Sequence, residues 1–288
     1  MEFKQLDETH VKLSALGIGT WQLKKDSATL RTIKAGVAAG INFVDTAEFY
    51  NNEEFVGKAI KDSNVFIATK VWPTNFHYDD VIKACERSTR KLGVKQIDLY
   101  QLHFPNPSIP LTETMKAMEE LVYRGKIRYI GVSNFSLDQL IEAQKAMKRY
   151  NITSNQVEYS LLVRGIEKDL LPFCSKAKIT VIAYSPLAHG RLFSSIDSGS
   201  MKKLGALSKK YGKSLSQIAL NWLTEKSRVI PIPKTDSKEH LLENLGALGW
   251  KLKKSDIDFI DKLFAEGGVK SLNSSFGRLL SLYFKLRH

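Results

Sequence analysis

Asp45, Tyr50, Lys70 and His103 fall within about sixty positions of one another and carry complementary chemistries. A tyrosine hydroxyl can give up a proton, but with an ordinary pKa of about 10 it is a reluctant acid at neutral pH. A nearby ammonium lowers that value, which is the part expected of Lys70. Asp45 would hold the ammonium, since an unpaired cation in a protein interior is costly. His103 can donate a hydrogen bond to a carbonyl oxygen and polarise it, from whichever ring nitrogen carries the proton. Together the four suit general acid catalysis at a polarised carbonyl. Each alone has an ordinary reading, as a satisfied structural histidine or an ion pair. Their joint occurrence at the ends of successive elements argues for chemistry.

Three of the four close a strand-like run. Asp45 follows Ile41-Asn42-Phe43-Val44, Lys70 follows Val65-Phe66-Ile67-Ala68-Thr69, and His103 follows Ile97-Asp98-Leu99-Tyr100-Gln101-Leu102. Further strands are expected at 15–19, 128–132, 154–158, 179–184 and 228–231. Between them the pattern predicts helices near 26–39, 52–60, 78–92, 112–124, 137–149, 168–177, 214–225 and 238–246. Strands alternating with amphipathic helices argue for a parallel sheet, and eight of each for closure into a (β/α)8 TIM barrel. Polar groups at the strand exits are how such a barrel builds a site.

Residues 1–288 read as one domain. Phe3–Leu6 and Val11–Leu13 form an N-terminal β-hairpin placed to plug the barrel bottom. In the helix at 78–92, Val81, Ile82, Cys85 and Leu92 share a stripe. In the helix at 112–124, Thr112 is the expected N-cap, Met115 and Met118 are core filling, and Gly125 is the stop. Residues 185–213, with Gly190, Gly199, Gly205 and Gly212, read as an insertion after the seventh strand. Extra C-terminal helices are expected at 255–264 and 275–287.

The tetrad, set in Gly40-Ile41-Asn42-Phe43-Val44-Asp45-Thr46-Ala47-Glu48-Phe49-Tyr50, Thr69-Lys70-Val71-Trp72 and Gln101-Leu102-His103-Phe104-Pro105, resembles that of the aldo-keto reductases over nearly the whole chain. The resemblance implies an NADP(H)-dependent reductase of small aldehydes and ketones, reversible as an alcohol dehydrogenase, with Tyr50 as general acid. It lays an extended dinucleotide over the barrel mouth, beginning at Gly19, Thr20 and Trp21. Ser133, Asn134 and Gln156 then match residues that hold the nicotinamide carboxamide, and Tyr184 the ring stacked beneath it. Ser185 and Leu187 belong to a loop over the pyrophosphate, Lys234 and Thr235 to a 2′-phosphate loop, and Glu243 and Asn244 to the adenine contacts. Where the family often has arginine six residues after the lysine, this chain has His240, and Asp236 and Glu239 add negative charge nearby. NADP(H) preference with some use of NAD(H) is the expectation. Trp21, Phe49, Trp72, Phe104 and Phe135 are candidates for an aromatic wall around the substrate. The stretch after Gly267-Gly268 would close over it in the family.

Other signatures fall away. Gly17-Ile18-Gly19 begins a Rossmann fingerprint, but position 22 is Gln; Gly212-Lys213-Ser214 suggests a P-loop, but position 207 is Leu. His103 has no partner at metal-ligand spacing, so no metal is expected. Asn134-Phe135-Ser136 fits a glycosylation sequon but is better explained as a cofactor contact. The net charge of +13, from 43 Lys+Arg against 30 Asp+Glu, is dispersed over residues such as Lys83, Lys116 and Lys145. That favours solvated helix faces over a nucleic-acid footprint. No apolar stretch approaches the ~20 residues that cross a bilayer, and the start lacks a signal-peptide core. Cys85 and Cys174 read as buried thiols. A cytoplasmic monomer or weak homo-oligomer with a small carbonyl substrate is therefore expected. The competing function is a cofactor-binding regulatory subunit resembling the β subunits of potassium channels, which also keep the tetrad.

Overall fold

The computed structural model describes residues 1–194 and 196–265. The hairpin strands β1 (Phe3–Gln5) and β2 (Lys12–Ser14) are antiparallel. The barrel strands follow: β3 (Ile18–Gly19), β4 (Phe43–Asp45), β5 (Phe66–Val71), β6 (Ile97–Leu102), β7 (Ile127–Ser133), β8 (Ile152–Glu158), β9 (Thr180–Tyr184) and β10 (Val229–Pro231). All neighbours are parallel and in chain order. The sheet closes between its ends, where Gly17 N donates to Pro231 O at 3.0 Å and Gly19 N to Pro233 O at 3.2 Å. The (β/α)8 expectation holds.

Alternation along each strand explains both core and site. One set of side chains points out to the helices: Val44, Ile67, Tyr100, Val132, Val181 and Val229 join the larger apolar cluster there. The other set points in. At the bottom, Phe43, Phe66, Ala68, Leu99, Ile182 and Ile230 pack around Leu6 and Leu13 from the hairpin segment, so the hairpin plugs the barrel as expected. Each fully buried leucine contributes roughly 1.5–3 kcal/mol there. Two residues further along, the same inward rows become Asp45, Lys70 and Gln101, and the site begins.

The helices are α1 (Ser27–Ala38), α2 (Glu53–Ile60), α3 (Tyr78–Leu92), α4 (Leu111–Tyr123), α5 (Leu137–Ala146), α6 (Leu170–Lys176), α7 (Ser198–Tyr211), α8 (Leu215–Thr224), α9 (Lys238–Leu245) and α10 (Lys254–Ala265). Several differ from expectation. Thr112 is not the N-cap of α4: Pro110 takes that position with φ −56°, and Thr112 lies inside the helix. α5 stops at Ala146 rather than 149, because the backbone N–H groups of Lys148, Arg149 and Tyr150 all donate to Glu119 Oε1, at 2.9, 2.6 and 3.2 Å. The insertion at 185–213 contains α7, capped by Asp197 accepting from Ser200 N and ended by Gly212 at φ 60°. α10 matches the helix expected at 255–264, whereas 275–287 and the Gly267-Gly268 segment lie outside the described residues. Burial pushes the Cys85 and Cys174 thiols up to about 12, so both are inert packing residues. No described helix is long and apolar enough to cross a membrane.

The closing seam depends on Gly19, where an added Cβ would stand 2.6 Å from the Ile232 carbonyl oxygen. Gly19→Ala is expected to lower stability by about 1–3 kcal/mol through overpacking. Urea unfolding checks this, and an unchanged midpoint and slope would show that the seam tolerates the methyl.

Candidate active site

Lys70 sits inside the barrel with its side chain fully buried, beside an Asp45 side chain that is 2% exposed. Its three N–H bonds have three acceptors: Asp45 Oδ1 at 2.5 Å, Thr46 O at 2.8 Å and the Tyr50 hydroxyl at 3.3 Å. The other Asp45 oxygen accepts from Gln156 Nε2 at 2.8 Å and Gln101 Nε2 at 3.1 Å. β4, β5, β6 and β8 thus each contribute one member to a single saturated network. Because the Tyr50 oxygen accepts from Lys70, the phenol's own proton is left for a ligand in the cleft that Tyr50 lines.

The electrostatics differ from the sequence-based expectation in one respect. Lys70 does not bring the Tyr50 phenol below its ordinary value. Burial and the negative charge of Asp45 push it well above 10. Burial, with Asp45 second, outweighs the Lys70 ammonium 3.3 Å from the phenol oxygen. Burial lowers the Lys70 pKa as well, with Asp45 opposing. His103 is held well below the usual histidine range by burial, with the Lys70 charge second, and is therefore neutral at pH 7. Its Nδ1 is buried without a partner among the described residues. Orphaned buried N–H groups are rare, so the proton belongs on Nε2, the nitrogen available to a ligand.

Local structure fixes Tyr50. It ends a single helical turn, Glu48–Tyr50, followed by Asn51 in the left-handed region at φ 51°. Two residues missed by sequence reasoning hold this turn. Glu48 Oε1 accepts from Trp72 N and from Asn75 Nδ2, tying the turn to the exit of β5. Asn52 accepts from Thr46 Oγ1 and donates to Thr20 O, both at 2.7 Å. Only their position beside Tyr50 signalled them.

The expected aromatic wall is partly realised. Phe104 stacks on His103 at 5.1 Å and lines the cleft, as does Trp21. Phe49 is sandwiched between Trp72 at 4.0 Å and Trp21 at 6.1 Å. Trp72 is buried, does not line the cleft, and instead meets His103 edge-on at 5.2 Å. Phe135 is 2% exposed and packs in the outer core, so it does not reach the cleft.

The cleft measures about 420 Å³. Gly19, Thr20, Trp21, Ser133, Asn134, Gln156, Tyr184, Ser185, Leu187 and Lys234 all line it alongside Asp45, Tyr50, His103 and Phe104. His189 also lines it and was not foreseen; its Nε2 lies 3.5 Å from Glu158 Oε1. Thr235, His240, Glu243 and Asn244 stand outside this lining. The Thr235 hydroxyl donates to Ser237 O at 3.0 Å, and Glu243 Oε1 accepts from Ser214 Oγ at 2.8 Å.

Three observations fit a nicotinamide dinucleotide. The Tyr184 ring is held at the cleft wall by its hydroxyl, which donates to Asn134 Oδ1 at 2.9 Å. Thr20 Oγ1 is buried in the lining without a partner among the described residues. The loop after β9 runs through left-handed backbone at Ser185, Ala188 and His189, conformations that cost about 1–3 kcal/mol each and cluster at ligand clamps.

The aldo/keto reductase family model matches residues 15–265. The chain belongs to that family. It is 35% identical over 264 residues to methylglyoxal reductase YeaE of Escherichia coli (strain K12), covering 88% of this chain and 92% of the relative. It is 35% identical over 269 residues to the NAD/NADP-dependent indole-3-acetaldehyde reductase of Schizosaccharomyces pombe (strain 972 / ATCC 24843), covering 88% and 92%. Among solved structures, an aldo/keto reductase from Klebsiella pneumoniae in complex with NADP and acetate superposes with a TM-score of 0.81 at 34% identity, over 94% of this chain and 98% of that one.

The buried pair generates a stability prediction for this family member. Lys70→Met leaves Asp45 charged and unpaired and is expected to cost about 3–5 kcal/mol, whereas the Asp45→Asn/Lys70→Met double variant recovers most of the loss. Denaturant unfolding of the four proteins in the cycle measures this; strictly additive losses would mean that the pair is not coupled.

Proposed function

We propose that this chain reduces small aldehydes and ketones to alcohols with NADPH, and oxidises alcohols in reverse. The observation that carries the reading is the Lys70-to-Tyr50 hydrogen bond at 3.3 Å, which commits the phenol oxygen as an acceptor and leaves its proton for the cleft. The dinucleotide, when bound, supplies hydride. The protein's residues do the rest. His103 orients the carbonyl oxygen through Nε2–H and, being neutral, does not compete as an acid. Tyr50 delivers its proton to that oxygen as it gains negative charge. An alkoxide is a far stronger base than a phenolate, so the transfer is favourable even from a phenol whose pKa burial has raised. Lys70 holds the phenol oxygen in place, and Asp45, through Gln101 and Gln156, holds Lys70.

Residues expected to hold the dinucleotide are Ser133, Asn134 and Gln156 at the carboxamide, Tyr184 beneath the ring, Ser185 and Leu187 at the pyrophosphate, and Lys234 towards the ribose. The names of its relatives support both parts of the reading: one reduces methylglyoxal, a small carbonyl compound, and another is NAD/NADP-dependent. Trp21 and Phe104 give the substrate end an aromatic rather than charged lining, which suits small uncharged carbonyl compounds.

Tyr50→Phe is expected to lower kcat for NADPH-dependent carbonyl reduction by about 10²–10⁴-fold, the usual worth of a general acid. NADPH affinity should stay within about twofold, since the ring and its packing remain. Steady-state assays on a panel of small aldehydes and ketones, with a fluorescence titration of NADPH, check both. A variant that keeps its kcat would remove Tyr50 from the chemistry.

A further inference from the structure

The segment 48–53 carries Tyr50 between two carboxylates, and β5 carries Lys70 between the two groups they hold. On one side, Glu48 Oε1 accepts from Trp72 N, two residues beyond Lys70. On the other, Glu53 Oε1 accepts from Thr69 Oγ1 at 2.7 Å, one residue before Lys70. The Lys70-to-Tyr50 hydrogen bond, at 3.3 Å, lies between these two ties. The usual N–H···O separation is about 2.9–3.0 Å, so this bond alone is a weak anchor for the phenol. Helical regularity does not hold it either. Between Tyr50 and α2 the backbone passes through Asn51 at φ 51° and Asn52 at φ −129°.

Glu53 is a costly residue where it stands. It opens α2 at only 1% exposure. Its Oε2 is buried without a partner among the described residues, as is the Ser88 hydroxyl on α3. Burial pushes its carboxyl pKa up, with the hydroxyls of Thr69 and Ser88 opposing. An apolar side chain would fill such a gap without that penalty. What it could not do is hold Thr69, which points out of the barrel and is itself fully buried. Glu53 does not line the cleft, so any part it has in the chemistry runs through its neighbours.

We propose that Glu53 is a positioning residue for the proton donor: through Thr69 it fixes the Tyr50 turn against β5 at the register that brings the phenol to Lys70. The proposal rests on the functional reading above and adds to it a residue that touches neither substrate nor dinucleotide. The tie uses Oε1 as an acceptor and is indifferent to a proton on Oε2. Glutamine can therefore replace glutamate, and alanine cannot.

The test is a double-mutant cycle read in kcat for NADPH-dependent carbonyl reduction, with wild type, Glu53→Ala, Tyr50→Phe and the double variant. Glu53→Ala should lower kcat about 10- to 100-fold, the cost of a reacting group misplaced by about 1 Å, with the Kd of NADPH changed less than about twofold. In the Tyr50→Phe background the same substitution should change the remaining kcat less than about twofold, because the group it positions is gone. Glu53→Gln, which keeps the acceptor, should hold kcat within about threefold of wild type. Should Glu53→Ala not fold, Thr69→Val takes its place in the cycle with Thr69→Ser as the conservative variant, and the same pattern is expected. A wild-type kcat in Glu53→Ala, a loss that repeats in full without the phenol, or glutamine failing as alanine does would each overturn the proposal. Failure of the functional reading looks different: the wild type would reduce no carbonyl compound with NADPH, or Tyr50→Phe would keep its kcat, and the proposal would fall with it.

Discussion

The site depends on one buried ion pair. Lys70 and Asp45 lie on adjacent strands, 2.5 Å apart and out of contact with solvent, in a layer of the barrel where a single unpaired charge would be untenable. Burial of this kind is tolerable only because every remaining valence is met. Thr46 O and the Tyr50 hydroxyl complete the ammonium, and Gln101 and Gln156 complete the carboxylate. The same completeness sets the chemistry. Lys70 meets Tyr50 as a hydrogen-bond donor, and the two titratable groups that face the cleft beside this pair, Tyr50 and His103, are both neutral. A neutral acid beside a neutral imidazole suits a reaction whose charge develops on the substrate oxygen.

The barrel positions that pair by simple alternation. Phe43 and Asp45, Phe66, Ala68 and Lys70, and Leu99, Gln101 and His103 are successive inward residues of neighbouring strands. The apolar members pack on the hairpin plug and the polar members form the site above it. Stability and function thus share three strands, divided by height. The seam between β3 and β10 adds the last ingredient, since its closure brings Lys234 to the same mouth as Gly19.

Much of this was legible in the sequence, because period-2 runs ending in polar residues report both the strand and the exit. The eight strands, the plug, the tetrad and most of the cleft lining followed from that pattern or from the family resemblance. What escaped has identifiable causes. α7 packs only a sparse stripe, Leu204, Leu207 and Tyr211, and carries Gly199 and Gly205, so it read as an insertion. The early end of α5 is dictated by Glu119, a residue on another helix. Phe135 follows a strand exit but turns into the outer core, and a sequence does not say which way such a ring faces. Glu48 and Asn52 look like ordinary polar loop residues until their partners are known. The expected acidification of Tyr50 failed because it counted the nearest cation without the burial of the phenol and the charge of Asp45, which both oppose ionisation.

The claim that burial and Asp45 leave Tyr50 a neutral donor is open to one direct measurement. With tyrosine labelled at the ring carbon that bears oxygen, the NMR signal absent from Tyr50→Phe identifies Tyr50, and its shift can be followed with pH in the unliganded protein. The structure predicts a neutral phenol up to and beyond pH 10, since burial and Asp45 both oppose ionisation. A titration step for Tyr50 clearly below pH 10 would contradict it, and would mean that Lys70 reaches the phenol as an effective charge.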